Sequence, residues 1–231
     1  MSSSNWISFW DNKHSIYVNA RHQAAHYRRI ADDLRRHVPI GAVALDYGCG
    51  EALSASQVAD PTTRLILCEA APNVRAMLAG RFGGNPKIVV RKPGDISLMP
   101  AQSLDFIAMH SVAQYLTAEE LDSLIKLFRR LLKPGGLFVL GDVIPRRTSA
   151  LGDAAALLHF GTREGFFWAA LLGLLRTYFS DYWRLRRALG LTRYNEAEIA
   201  AMLESAGFSV QRARANIGHN VRRITFLAHA L

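Results

Sequence analysis

Asp46, Gly48 and Gly50 close an apolar run that opens at Val43, and Glu69 follows Gly48 by 21 residues. Glycines at 48 and 50 permit backbone angles closed to other residues and remove the Cβ atoms that would hold a ligand away. A helix opening at Ala52 would aim free N–H groups and its positive dipole end at that ligand. Glu69 ends a strand read over 64–68, where an acid in nucleotide-binding folds accepts hydrogen bonds from ribose hydroxyls. His110 ends the apolar run 104–109 and is an imidazole at the ligand-facing end of a strand, the place for a general base. These residues describe a buried strand feeding a cofactor loop, although a G-x-G turn is shared by many α/β folds and by structural turns.

The dinucleotide fingerprint G-x-G-x-x-G, counted from Gly48, needs a small residue where this chain has Leu53, which argues against NAD. Asp46, Gly48 and Gly50 instead resemble motif I of the class I S-adenosylmethionine-dependent methyltransferases, with Ala52 at a third position that is often glycine. The run 104–116 resembles the fourth-strand motif of that family, and Lys133-Pro134-Gly135-Gly136 before a strand at 137–141 resembles its characteristic turn. The resemblance covers about 41–145 and 194–231. It implies S-adenosylmethionine as cofactor, S-adenosylhomocysteine as product, and Glu69 on the ribose. It also implies Asp95 on the adenine amino group, Ile96 over the ring, and Tyr17 and Arg21 reaching the cofactor from an N-terminal helix. Ala70 and Met109 complete the expected cofactor set. Without the family, Pro93-Gly94-Asp95 is an ordinary turn, Tyr17 a packed ring and Arg21 a solvated charge.

Positioning these groups calls for an α/β fold. The expected architecture is one domain over 1–231, with a Rossmann-like, mostly parallel seven-stranded sheet, an antiparallel C-terminal hairpin and helices on both faces. A helical cover over 1–40 and a helical insertion over 146–193 are added to it. Ile16, Ala20, Ala24, Tyr27, Ile30 and Leu34 recur at helical spacing between Trp6 and Pro39. Thr117 with Glu120 and Asn195 with Glu198 read as capping boxes. Strands at 209–217 and 221–230 are joined at Gly218-His219-Asn220.

The chain has 231 residues, half of them hydrophobic, and a formal charge of +9; 23 of its 28 basic residues are arginine. The 143–193 segment alone supplies +5, so a local basic surface is expected. The absence of an Asp/Asn-Pro-Pro-Tyr/Phe motif after the fourth strand, where His110-Ser111-Val112-Ala113 stands, argues against a nucleic-acid methyltransferase. His14, His22 and His26 invite a metal, but no acidic or cysteine partner has ligand spacing, so none is expected. Two cysteines, Cys49 and Cys68, form no disulfide framework, and the N-terminus has no secretory pattern, so a cytoplasmic protein is expected.

The resulting expectation is methyl transfer to a small or lipid-like acceptor, with His110 as base and His14, Tyr115, Phe167 and Trp168 beside the acceptor. The uncharged run 165–175 is far short of the ~20 residues of a membrane span. It is followed by Tyr178, Phe179, Tyr182, Trp183 and several arginines. That composition leaves three readings open for the insertion: a lid or dimer contact, an acceptor pocket, or shallow docking on anionic lipid. Methylation of RNA, other nucleic acid or protein, and idle cofactor binding without catalysis, stay open as alternatives.

Overall fold

A computed structural model describes residues 4–12, 17–177 and 190–231. His14 and the aromatic-basic run 178–187 therefore lie outside the described residues. The parallel strands are β1 (Val43–Tyr47), β2 (Arg64–Cys68), β3 (Ile88–Arg91), β4 (Leu104–His110) and β5 (Leu132–Val143). With β6 (Phe208–Arg212) and β7 (Ile224–Ala230) they form one sheet of order β3-β2-β1-β4-β5-β7-β6. β7 runs antiparallel to both β5 and β6. Strand order reverses between β1 and β4, so the crevice at their carboxyl ends is the ligand-binding edge of such a sheet.

Continuous apolar runs at β1, β2 and β4 match strands covered on both faces. One face is packed by α2 (Ala20–Leu34), α3 (Ala55–Ala59) and α4 (Pro72–Phe82), with Leu34, Val58 and Leu78 against Leu65 and Phe106. The other is packed by α6 (Ala118–Leu131) and α9 (Glu196–Ser205), with Phe128 and Ile199 against Ile107 and Phe138. The expected caps hold both helix starts: Thr117 accepts from the Glu120 N–H while the Glu120 carboxylate accepts from the Thr117 N–H, and the Glu198 carboxylate accepts from the Asn195 N–H at 2.9 Å. Lys133–Gly136 is not a free turn before the strand. Pairing steps from Leu104↔Leu132 to Phe106↔Leu137, so these residues bulge within β5.

Three expectations change. The N-terminal segment is not one helix: α1 (Ser4–Asp11) and α2 are separate, and Asn19 caps α2 by accepting from the His22 N–H at 2.8 Å. The C-terminal strands are shorter than their hydrophobic pattern suggests and are joined by the long segment 213–223, not by a tight turn. Ile217, Asn216 and Asn220 on that segment are buried. Pro93 starts a short helix, α5 (Pro93–Ser97), which turns Ile96 into the α6-side core.

The described part of the insertion forms a pair of helices, α7 (Ala150–Glu164) and α8 (Phe167–Thr177), separated by Gly165 at φ +76°. The pair packs on α2 through Phe160, Phe166, Ala170 and Ala25, and Arg28 on α2 pairs with Glu164 at 2.7 Å. Among the described residues no helix is long and apolar enough to cross a membrane.

Candidate cofactor and acceptor site

A cavity of about 940 Å³ opens at the carboxyl ends of β1, β2, β4 and β5. Its floor is the loop after β1. Gly48 and Gly50 have φ of +75° and +57°, and a Cβ on Gly48 would strike Val112. Ala52, at the family's third glycine position, also sits at φ +44°, so the loop keeps the left-handed path with a methyl group present. Tyr27 on α2 supports the loop from behind: its hydroxyl accepts from the Glu51 N–H at 3.0 Å. Gln23 donates to the Glu51 carboxylate at 2.7 Å.

The acidic end is formed by Asp46 and Glu69. Glu69 is 9% exposed and accepts from the N–H groups of Gly50 at 2.9 Å and Ala71 at 2.8 Å. A carboxylate retains further lone pairs after two such bonds. Burial pushes Glu69 upward, and the same backbone bonds hold it down. Asp46 lines the cavity, and burial together with the Glu69 charge pushes its pKa up to about 7. The Oε1 of Gln114, a buried residue on the same wall, is an acceptor with no partner.

Over the cavity lies α1. Trp6 and Trp10 pack against Tyr115 at ring separations of 4.7 and 5.9 Å. Asp11 reaches the start of α4, where its carboxylate accepts from the Asn73 side chain at 3.1 Å. The helix thus bridges the two sides of the crevice.

The far wall carries His110, Ser111 and Asp142 from β4 and β5 with His26 and Tyr17 from the N-terminal segment. His110 Nε2 lies 3.0 Å from the Ile217 carbonyl and Nδ1 lies 3.1 Å from Ser111 Oγ. Ser111 also donates to Asp142 at 2.7 Å, and Asn216 donates to the other oxygen of that carboxylate at 3.2 Å. Ser111 and Asp142 hold φ of +57° and +60°, uncommon for residues with a Cβ and concentrated at sites where geometry matters. Gly141 makes room for the His110 ring, since a Cβ there would lie 2.9 Å from it. His22, His26, His110 and His219 adjoin one another, with ring separations of 5.8–6.5 Å between the adjacent pairs. Burial holds His22 down to about 4 and lowers His26 and His219. Among the described residues no group of three or more His, Cys, Asp or Glu is placed to hold a metal ion.

Of the expected site residues, Tyr17, Asp46, Gly48, Gly50, Glu69, Ala70, His110 and Tyr115 line this cavity. Others do not reach it. Met109 is wholly buried in the sheet core because side chains alternate along β4 and only His110 emerges at its end. Asp95 accepts from the Lys92 N–H at 3.2 Å and caps α5, and beside it only Pro93 touches the cavity. Arg21 is exposed and its guanidinium lies over Gly165. Trp168 is 73% exposed and Phe167 packs edge-on against it, both outside the cavity, because Phe166 takes the inward position and stacks on His22 at 4.8 Å. The sequence reading missed Trp6, Trp10, Gln114, Ser111 and Asp142. Only the last two had a local signal, polar residues just past the ends of apolar strands.

A doubly wound sheet with β7 inserted antiparallel beside β5, a glycine loop after β1 and acids at the ends of β1 and β2 support a class I S-adenosylmethionine-dependent methyltransferase. Residues 45–140 match the family described as methyltransferase domain. A probable S-adenosylmethionine-dependent methyltransferase of Mycolicibacterium smegmatis is 25% identical over 206 residues, covering 88% of this chain and 61% of that protein. A chondramide synthase of Chondromyces crocatus is 34% identical over 110 residues, 40% of this chain and 3% of the synthase. The chain thus spans less than two thirds of either relative. Among solved structures, the N-methyltransferase NodS of Bradyrhizobium japonicum, in complex with S-adenosylhomocysteine, superposes with TM-score 0.60 at 14% identity. That superposition covers 99% of this chain and 97% of the other.

The site fits S-adenosylmethionine. Burial and the Glu69 charge drive Asp46 toward neutrality, and a sulfonium or ammonium group beside it would favour the ionised form. Gln114 Oε1 is an orphan acceptor on the same wall.

Proposed function

We propose that the chain methylates a small or lipid-like, largely apolar acceptor. The observation that carries this reading is the single cavity running from the glycine loop to an aromatic and imidazole wall. At about 940 Å³ it lies at the top of the roughly 300–1,000 Å³ range of ligand pockets, leaving room for a second molecule beside a cofactor. When bound, S-adenosylmethionine supplies a methyl group already activated on a sulfonium. The chain then has to hold the cofactor, align the acceptor and exclude water, and such positioning supplies about 7–11 kcal/mol.

In this reading Asp46, Glu69 and the N–H groups of the glycine loop hold the cofactor. Trp6, Trp10, Tyr17 and Tyr115 enclose the acceptor, and α1 closes over both. His110 shapes the acceptor wall. The exposed Trp168 and Leu172 on α8, 73% and 54% accessible, offer a place for a second subunit or a lipid surface. The two free thiols, Cys49 and Cys68, suit a reducing compartment such as the cytoplasm.

The test incubates the protein with methyl-labelled S-adenosylmethionine and a lysate separated into lipid, small-molecule, RNA and protein fractions. Label in the lipid or small-molecule fraction is expected. Label confined to RNA or protein overturns the acceptor class, and binding without transfer to any fraction overturns catalysis.

A further inference from the structure

Among the described residues, His26 and His110 are the imidazoles on the cavity wall, and their nitrogens are differently engaged. The Ile217 carbonyl, 3.0 Å from His110 Nε2, can only accept, so that nitrogen carries a proton and donates it inward. The other nitrogen faces Ser111, whose hydroxyl is shared with Asp142. Both nitrogens of the His110 ring therefore lie against protein atoms, Nε2 on the Ile217 carbonyl and Nδ1 on the Ser111 oxygen.

His26 is held by rings alone. Tyr17, Tyr27, His219 and His110 surround it at 5.4, 5.5, 5.8 and 6.5 Å, and its ring nitrogens make no hydrogen bond to any described residue. Burial and the charges of His219, His110 and His22 keep it unprotonated well below the ordinary histidine range. It is a neutral imidazole with an unused lone pair on the cavity wall.

We propose that His26 is a catalytic residue that takes the proton from an acceptor hydroxyl, an inference that rests on the small-acceptor methyl transfer proposed above. An aliphatic amine would arrive as an ammonium ion, a second positive charge in a cavity that already holds the sulfonium. A neutral hydroxyl meets no such penalty. In the reaction the hydroxyl oxygen forms the new O–CH₃ bond while the S–CH₃ pair returns to sulfur. The O–H pair stays on oxygen, and the proton passes to His26. A sulfonium charge is replaced by an imidazolium charge, so the net charge of the cavity does not change.

The test compares the wild type with His26→Ala and His110→Gln. Acceptors are 1-naphthol, its amine-bearing analogue 1-naphthylmethylamine, and whichever lysate fraction takes label in the experiment above. His26→Ala should lower kcat by about 10²–10⁴-fold, keep its affinity for S-adenosylhomocysteine and its Tm, and recover at least tenfold on addition of free imidazole. His110→Gln should lose no more than about tenfold. A readout independent of turnover is the ¹⁵N signal of His26, which should shift when 1-naphthol is added to the S-adenosylhomocysteine complex. Turnover within threefold of wild type in His26→Ala, no rescue by imidazole, an unmoved ¹⁵N signal, or methylation of the amine alone overturns this proposal and leaves the transferase reading standing. A wild type that methylates none of the acceptors overturns both.

Discussion

Asp46 sits at the end of a strand whose neighbours offer it no cation, and Glu69 adds a like charge beside it. Its pKa of about 7 in the free protein means that roughly half the molecules carry a neutral carboxyl there at neutral pH. A bound cation favours the ionised form, so cofactor binding should release a proton. Affinity for S-adenosylmethionine is expected to rise about tenfold between pH 5.5 and 7, at close to one decade per unit below the pKa. Calorimetry across that range checks it, and Asp46→Asn should flatten the dependence. This acid was legible in the sequence as part of the loop pattern. Its charge state was not, because that depends on what lies across the cavity. Met109 shows the opposite limit: strand periodicity was available to turn it inward, and only the observed end of β4 placed it in the core.

At the scale of elements, the described part of the insertion, α7 and α8, packs behind the cavity wall. Phe160 stacks on His219 at 4.6 Å and Phe166 on His22, so α7 and α8 brace the imidazole cluster from outside. Trp168 faces solvent on the other side of α8. Trp168→Ala should therefore leave the acceptor KM and the cofactor affinity unchanged within about twofold, and shift stability by no more than about 0.5 kcal/mol. A severalfold rise in KM would return α8 to the pocket. Composition identified this helix and its length, but the inward choice among Phe166, Phe167 and Trp168 is set by the α7–α8 turn at Gly165. The 213–223 segment is a similar case. Its apolar and polar residues alternate like a strand, yet Asp33 accepts from the Gly218 N–H at 3.1 Å, and Asn216 ties it to Asp142 and Thr225. Those bonds pull it out of the sheet to meet α2.

Across the whole molecule, buried titratable groups of opposite sign set the pH response. His22, His26 and His219 are kept neutral by the fold, so below about pH 6.5 the unfolded chain binds protons that the folded chain refuses, and stability falls with pH. Asp46 and Glu69 act the other way, since their raised values let the folded chain bind protons first. Three imidazoles against two carboxyls leave a net loss of stability on acidification. Thermal melts should show a lower Tm at pH 5 than at pH 7; a flat or rising Tm would contradict the burial of the cluster. The sequence by itself determined the α/β layout of the cofactor edge: strand–loop–helix spacing, the two acids, the helix caps and the Lys-Pro-Gly-Gly bulge are local patterns that backbone stereochemistry reads directly. Tertiary structure alone decided which imidazole is free. His26 and His110 are 84 positions apart, and their difference comes from the Ile217 carbonyl and Ser111, hydrogen-bond partners that only folding brings to one ring and withholds from the other.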